Sequence, residues 1–349
     1  MKERSIGRIV GRVFLVLLTT VLLLALAVVG VVFVVLRGPS PAAQELLTRS
    51  LKETSAIGFI PDLFLSPERV NEIMSFKEEE TEITEETDTS LVTISARRNP
   101  EDPDPETDAA ADPKKDNLIL DEDGIQLYGV TGANYSGMMM VVDDPFRVFV
   151  GTPDSYGYMG LTLEQMITKY DAIAGINGGG FYDPGGSGNG GVPDGIVITN
   201  GTMAYGYAAT VSSVIGIDAD GILHVGRMSA QDALNRNIQW ACSFGPALIV
   251  NGEPQSGAEI TSSSVNPRTA IGQRSDGAIL MLVVDGRQVT SLGATFEDLI
   301  SIFLDFGAVN ASNLDGGSST QLIYGGQTMN LNSSVIGLRP LPTAFLVRR

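Results

Sequence analysis

The chain has 349 residues, 43% of them apolar, enough for a substantial core in one large domain or two small ones; a chain disordered throughout is excluded. Its formal net charge of −18 argues against nucleic acid as a partner, because phosphate backbones are bound by clustered Lys and Arg. A single cysteine, Cys242, rules out an intrachain disulfide, so an exported domain would be held by its core alone, a condition that suits a bacterial cell envelope.

The first predicted element is a membrane-spanning helix over residues 13–36, a run without a charged side chain. At about 1.5 Å per residue it exceeds the ~30 Å hydrocarbon layer. Lys2, Arg4, Arg8 and Arg12 make residues 1–12 a basic tail, and only Arg37 follows the run closely. The positive-inside bias therefore places the N-terminus in the cytoplasm and everything past Arg37 outside, as a single-pass protein of the bacterial cell membrane. A cleaved signal peptide is the competing reading, but its apolar region would span about 7–15 residues, and residues 38–43 make a poor cleavage site.

Residues 37–76 are expected to form a helical stalk, with a helix over 42–54 and another opening at Ser66, where Pro67 at the first helical position loses no hydrogen bond. Residues 77–117 read as an acidic linker. Between Glu78 and Asp116 there are fourteen acidic and four basic residues, so ten of the eighteen excess charges lie here, beside Pro100, Pro103, Pro105 and Pro113. Such a composition buries too little apolar surface to offset chain entropy. A short strand over 90–96 is the one element expected in it.

From residue 118 to 349 the pattern becomes short β-rich runs punctuated by glycine. Strands are predicted at 138–142, 147–150, 172–176, 195–199, 214–217, 222–225, 247–250, 268–271, 278–284 and 344–347. Three helices interrupt them, each opened by a capping residue and a partner three positions on: Thr162 with Gln165, Ser229 with Asp232, and Thr295 with Asp298. The last runs over 296–306 with Leu299, Ile300 and Phe303 on one face, ending at Gly307. The fold class is α+β, a strand-rich mixed-sheet domain with a few helices, preceded by a transmembrane helix and a helical stalk.

Four segments place polar residues beside glycines at strand ends, where loops hold functional groups on a rigid frame. They are Asn177-Gly178-Gly179-Gly180-Phe181 with Asp194-Gly195 downstream, Pro267-Arg268-Thr269, Asp285-Gly286-Arg287, and Asn313-Leu314-Asp315-Gly316-Gly317-Ser318-Ser319. The last is the most specific, since its backbone N–H groups can face an anion while Asp315 stands at the strand end. Asp220-Gly221 and Asp276-Gly277 read as hairpin turns. The lone histidine, His224, lies in an alternating strand and reads as a packing or surface residue; without a Gly-x-Ser-x-Gly elbow it does not suggest a serine hydrolase. One His and one Cys make no usual zinc site, and no cofactor is expected. Calcium on the glycine-rich 183–189 loop is a minor alternative, lacking EF-hand spacing. Trp240, Tyr182 and Tyr205 are aromatic candidates for stacking on sugars, with core packing the equal alternative.

In order and spacing, these segments together with Phe244-Gly245-Pro246-Ala247-Leu248 resemble the phosphodiester glycosidase family, over about residues 172–347. The resemblance implies hydrolysis of the bond between a sugar's anomeric carbon and a phosphodiester, with envelope glycan or exopolysaccharide as substrate. It says nothing of the anchor, stalk or linker. Such chemistry needs a carboxylate at an oxocarbenium-like centre, a cationic or N–H-rich phosphate site and hydroxyl contacts to the sugar. Asp315 and Asp285 are the leading catalytic carboxylates and Asp194 the third, their individual roles open. Arg268 is the expected phosphate clamp, with Gly316, Gly317 and Ser318 as a backbone cradle. Asn177 is expected on a sugar hydroxyl, Gly178 and Gly179 against the substrate, and Thr269, Arg287 and Ser319 beside them. A non-catalytic glycan- or protein-binding module and a phospho-sugar transferase are the alternative functions.

Overall fold

The computed structural model describes residues 2–52, 57–74, 86–94, 117–183, 188–261, 263–334 and 337–349. The chain divides into a helical unit, Met1–Glu53 with Ile57–Lys77, and a larger unit, Thr54–Ala56 with Glu78–Arg349. In the helical unit, α1 (Lys2–Arg37) is followed by α2 (Pro41–Lys52), α3 (Ile60–Phe64) and α4 (Pro67–Met74). Within α1, Gly11–Arg37 is long and apolar enough to cross a membrane. Most of its Leu, Val and Phe side chains are more than half exposed, a surface suited to lipid rather than water. Leu36, Leu65, Val70 and Ile73 form a small core in this unit. The five-residue α3 escaped the sequence reading because it is too short to show a period.

The larger unit begins with β1 (Leu118–Glu122), β2 (Ile125–Thr131), β3 (Ser136–Val142) and β4 (Val148–Gly151), then α5 (Leu163–Tyr170) and β5 (Ala172–Asn177). Next come β6 (Val197–Thr199), β7 (Thr202–Tyr205), β8 (Val211–Asp218), β9 (Leu223–Ser229), α6 (Ala230–Asn235) and β10 (Ile238–Ser243). The chain continues with β11 (Ala247–Val250), β12 (Glu253–Pro254), α7 (Ala258–Thr261), β13 (Arg268–Arg274), β14 (Ile279–Val284), α8 (Phe296–Asp305) and β15 (Ala308–Leu314). It closes with β16 (Leu322–Tyr324), β17 (Gln327–Thr328) and β18 (Ala344–Arg348). All three helices predicted from capping residues start at those boxes, with both reciprocal bonds made.

The strands form three antiparallel sheets, ordered β1-β2-β3-β14-β13-β15-β11-β12, β7-β6-β10-β8-β9 and β17-β16-β5-β18-β4. Alternation sends one face of each sheet inward. Met281, Ile271 and Leu314 from the first sheet, Ile215 and Cys242 from the second, and Ile176 and Phe345 from the third share one central core. Helices cover the outer faces, with Ile260 of α7 beside α8 on the first sheet. α8 covers the first through Leu299 and Phe303, α6 the second through Ala230 and Ala233, and α5 the third through Leu163 and Met166. The domain is the sheet-rich α+β fold expected; among the strands missed, β16 is short and β2 is broken by glycine, while β10 and β15 carry polar residues that blur an apolar run.

Most of the expected acidic linker, residues 77–85 and 95–116, lies outside the described residues. Residues 86–94, which belong to the larger unit, are bonded to its loops. The strand expected at 90–96 is replaced by a 3-10 turn, Thr89–Leu91, because the Asp88 carboxylate accepts from the Ser90 N–H and winds the chain; 95 and 96 are not described. The Asp88 N–H donates to Asn251 Oδ1 at 2.8 Å, Asn251 Nδ2 donates to the Glu86 carbonyl at 3.0 Å, and the Thr93 N–H donates to the Ser275 carbonyl at 2.7 Å. Arg236 pairs with Glu86 at 3.5 Å. Ser275 follows the end of β13 that lies away from Arg268, roughly 20 Å distant at ~3.4 Å per residue.

Candidate functional site

At the pole where β5, β14 and β15 end and β13 and β18 begin, three of the four sequence segments converge on the Asp315 loop. Asn177, fully buried at the end of β5, holds that convergence together. Its Nδ2 donates to the Asp315 carbonyl at 2.6 Å, while its Oδ1 accepts from Thr269 Oγ1 at 2.7 Å and the Gln321 N–H at 3.1 Å. The Asp315 N–H donates back to the Gly178 carbonyl at 3.1 Å. The glycines after Asn177 are required by close packing. A Cβ on Gly178 would stand 2.6 Å from Thr343 Oγ1, one on Gly179 2.6 Å from the Ser243 carbonyl oxygen, and one on Gly180 2.8 Å from Asp194 Oδ2. On the other flank, Asn313 Nδ2 donates to the Gly245 carbonyl at 2.8 Å, tying the Phe244-Gly245-Pro246 segment to β15 just before Asp315.

Asp315 keeps part of its surface accessible but sits deep among protein atoms. Desolvation pushes its carboxyl up to about 7, against the opposing effects of a hydrogen bond with Ser319 and the charge of Arg339; Asp183 and Asp194 push it further up. Arg339 is 7% exposed. Its Nη1 donates to Asp183 Oδ2 at 2.7 Å and to Ser318 Oγ at 3.4 Å, its Nη2 donates to the Gly188 carbonyl at 3.1 Å, and its guanidinium lies 4.9 Å over the Phe181 ring. Desolvation works against ionisation of Asp183 as well, but Arg339 and the Gly188 N–H hold its carboxyl below the ordinary value. Asp194, exposed at the rim beside Gly180, is raised by the desolvation its neighbours impose. Below the loop, burial pushes the Cys242 thiol up to about 12, so it is an uncharged packing group.

Asp285 is 8% exposed at the end of β14. Its Oδ1 accepts from Asn330 Nδ2 at 3.2 Å and the Leu331 N–H at 2.9 Å; desolvation nevertheless raises its carboxyl. The 330–333 segment it orients then clasps the Asp315 loop from outside. Asn332 Nδ2 donates to the Ser318 and Thr320 carbonyls, and Ser333 Oγ to that of Gly317. Arg287 lies on the same loop, its guanidinium nitrogens 3.4 and 3.5 Å from where a Gly317 Cβ would be.

Other expected site residues stand elsewhere. Arg268 points to the α8 side of its sheet, where its guanidinium lies 4.3 Å over Phe296 and donates to the Ala294 and Ser264 carbonyls. Strand alternation explains this, because Thr269 takes the face toward Asn177 and leaves Arg268 the opposite one. Thr269 and Asn177 are fully buried with their side chains engaged within the loop frame, and the Gly317 N–H donates to the Pro267 carbonyl at 2.9 Å rather than facing outward. Trp240 packs on Phe149 and Arg348. His224 is buried with Nε2 2.8 Å from Asp218 Oδ2, toward the far pole. Among the described residues no group of three His, Cys, Asp or Glu is placed to hold a metal ion, and residues 184–187 of the calcium alternative lie outside them.

The sequence reading missed Arg339, Asn330 and Asn332, and took Asp183 only as the start of the calcium alternative. One signal was available: Arg339 is the only basic residue between Arg287 and Arg348, and a lone cation in so long a run is a candidate for buried pairing.

Residues 170–348 match the family model for phosphodiester glycosidases. Among curated proteins, the chain is 30% identical over 191 residues to the SPbeta prophage-derived uncharacterized protein YomE of Bacillus subtilis (strain 168), covering 54% of this chain and 29% of that protein. It is 25% identical over 150 residues to N-acetylglucosamine-1-phosphodiester alpha-N-acetylglucosaminidase of Bos taurus, covering 38% and 28% respectively. The aligned regions thus span under a third of either relative's length. Among solved structures, the catalytic domain of the zebrafish N-acetylglucosamine-1-phosphodiester alpha-N-acetylglucosaminidase, auto-inhibited by its pro-peptide, shares the fold with a TM-score of 0.53 at 22% identity, covering 67% of this chain and 84% of that one.

Proposed function

The chain belongs to the phosphodiester glycosidase family, and on that premise we propose that its Asp315 recess hydrolyses the bond between a sugar's anomeric carbon and a phosphodiester, in envelope glycans or exopolysaccharide outside the cytoplasm. The observation that carries this reading is a carboxyl brought to about 7 at a strand end, beside the buried Arg339 and its half-buried partner Asp183. A group that titrates near neutrality can hold a proton for the departing phosphate oxygen and take one from water, whichever the step requires. Arg339 and Arg287 flank the Gly316–Ser319 loop and supply positive charge where phosphate oxygens would rest, a part the sequence had given to Arg268. The hydroxyls of Ser318 and Ser319 add donors. Asp194, at the rim, is the second carboxylate in reach of the same space, and Asp285 orients the loop from below.

The apolar helix Gly11–Arg37 supports a retained membrane anchor, with the basic tail setting its orientation. Protease accessibility on intact cells tests this, and protection of the large domain would overturn it.

The decisive experiment is a screen of the purified protein against a panel of sugar-1-phosphodiesters. Release of free sugar is expected, and Asp315→Asn should lower turnover by about 10²–10⁴-fold with an unchanged circular dichroism spectrum. Unaltered turnover in that variant would remove Asp315 from the mechanism. Sugar transferred to an added acceptor would indicate a transferase, and saturable binding without product a recognition module.

A further inference from the structure

Five of the nine tyrosines, Tyr156, Tyr158, Tyr182, Tyr205 and Tyr207, lie on loops that are bonded to or packed on the segment 188–195, whose Asp194 acts on the Asp315 carboxyl. That segment carries Asp194, and its Gly188 holds both Asp183 and Arg339. Backbone bonds fix the tyrosine-bearing loops to it. The Gly157 N–H donates to the Gly191 carbonyl at 2.6 Å, the Gly160 N–H to that of Asn189 at 2.8 Å, and the Tyr182 N–H to that of Val192 at 2.8 Å. On the remaining side, Gly206 abuts Gly195, the position of its Cβ lying 3.0 Å from the Gly195 carbonyl oxygen. Tyr156 and Tyr205 pack edge to face at 5.2 Å and join two of these loops.

Two residues beyond each partner of that pair stand Tyr158 and Tyr207, 78% and 81% exposed, and beside the catalytic recess stands Tyr182, 65% exposed. One exposed aromatic ring is ordinary on a protein surface. Three on loops bonded to one recess wall are a different matter, because a loop needs no tyrosine to stay soluble. A pyranose ring offers a flat face of C–H bonds that packs on an aromatic ring, while its hydroxyls find the phenol oxygen. The charge at the mouth narrows the choice further. Asp183 and Asp194 stand there, and each added anionic group would be repelled.

From this we infer that Tyr158, Tyr182 and Tyr207 form an extended rim that binds a run of neutral sugars flanking the scissile linkage, so that the protein selects glycan chains over single sugar phosphodiesters. The inference rests on the hydrolase reading for the identity of the linkage, but its test does not need turnover.

Binding is measured by calorimetry on the full chain carrying Asp315→Asn. The probes are maltohexaose-1-phosphate methyl diester against glucose-1-phosphate methyl diester, with the corresponding chitooligosaccharide pair as a second series. The longer probe of at least one series should bind at least about tenfold more tightly, and Tyr158→Ala, Tyr182→Ala and Tyr207→Ala together should reduce that ratio to about one. Tyr→Phe at the same positions should retain most of the preference, since stacking is kept. The rings are exposed, so their truncation leaves no cavity, and an unchanged dichroism spectrum confirms the fold. A ratio near one in both series before the tyrosines are removed, or a ratio that survives their removal, overturns the inference. Failure of the wild-type chain to cleave either diester while the ratio stands would refute the hydrolase reading alone.

Discussion

Asp315 serves the proposed chemistry at a cost to stability, and the sign of that cost can be tested. Its carboxyl has a folded value near 7, above the ordinary 3.8, so between those limits the native state holds a proton that the unfolded chain has lost. Stability contributed by this group is present at low pH and is lost as pH rises from about 4 to 7. Asp315→Asn, which does not titrate, should therefore melt higher than the wild type at pH 8 by an amount equivalent to about 4 kcal/mol, with the gain vanishing near pH 4. Thermal melts at the two pH values check this, and equal shifts at both would show that the gain is not electrostatic. Arg339 acts on the same carboxyl in the opposite direction. Arg339→Gln should move the ionisation seen in the pH profile of kcat/KM upward, and Arg339→Lys should return part of the shift by restoring the charge. A profile that stays in place would exclude Arg339 from the neighbourhood of the reacting group.

At the scale of elements, the site is a junction of strand ends locked by side chains that never meet solvent. Asn177→Ala would leave the Asp315 carbonyl, the Thr269 hydroxyl and the Gln321 N–H without their shared partner in a buried place, for a loss of about 2–4 kcal/mol. Denaturant unfolding measures it, and a loss under about 0.5 kcal/mol would mean the loop stands without this bracket. These observations mark what was legible in the sequence. Helix starts were, because a capping box is a local pattern. The Asp315 loop was legible as a strand end followed by glycines. The assignment of Arg268 failed because motif order carries no information about which face of a strand a residue takes, and its neighbour Thr269 claims the inner face. Arg339 and Asp183 meet from positions 156 residues apart, a pairing that no local pattern announces. Asn177 was recognised as part of the site, but its role as a structural bracket depends on three distant partners that only the fold supplies.

Across the large unit, three sheets share one core and each carries a helix on its back, so chemistry is confined to the poles. One pole bears the recess; the other receives residues 86–94. Asn251→Ala removes the side chain that holds Asp88 and Glu86 there, and should speed hydrogen exchange at the Thr93 amide while leaving turnover as it was. Unchanged exchange would show that Thr93 is protected without this clasp. The clasp also has a mechanical meaning. Tension arriving along the chain from its N-terminal side would load the contacts to Asn251, Arg236 and Ser275 before any strand of the sheets, and none of them touches Asp315. A stretched molecule would thus yield first at this clasp while the Asp315 loop stays intact, and single-molecule pulling should record that release as a separate step at low force ahead of the main rupture.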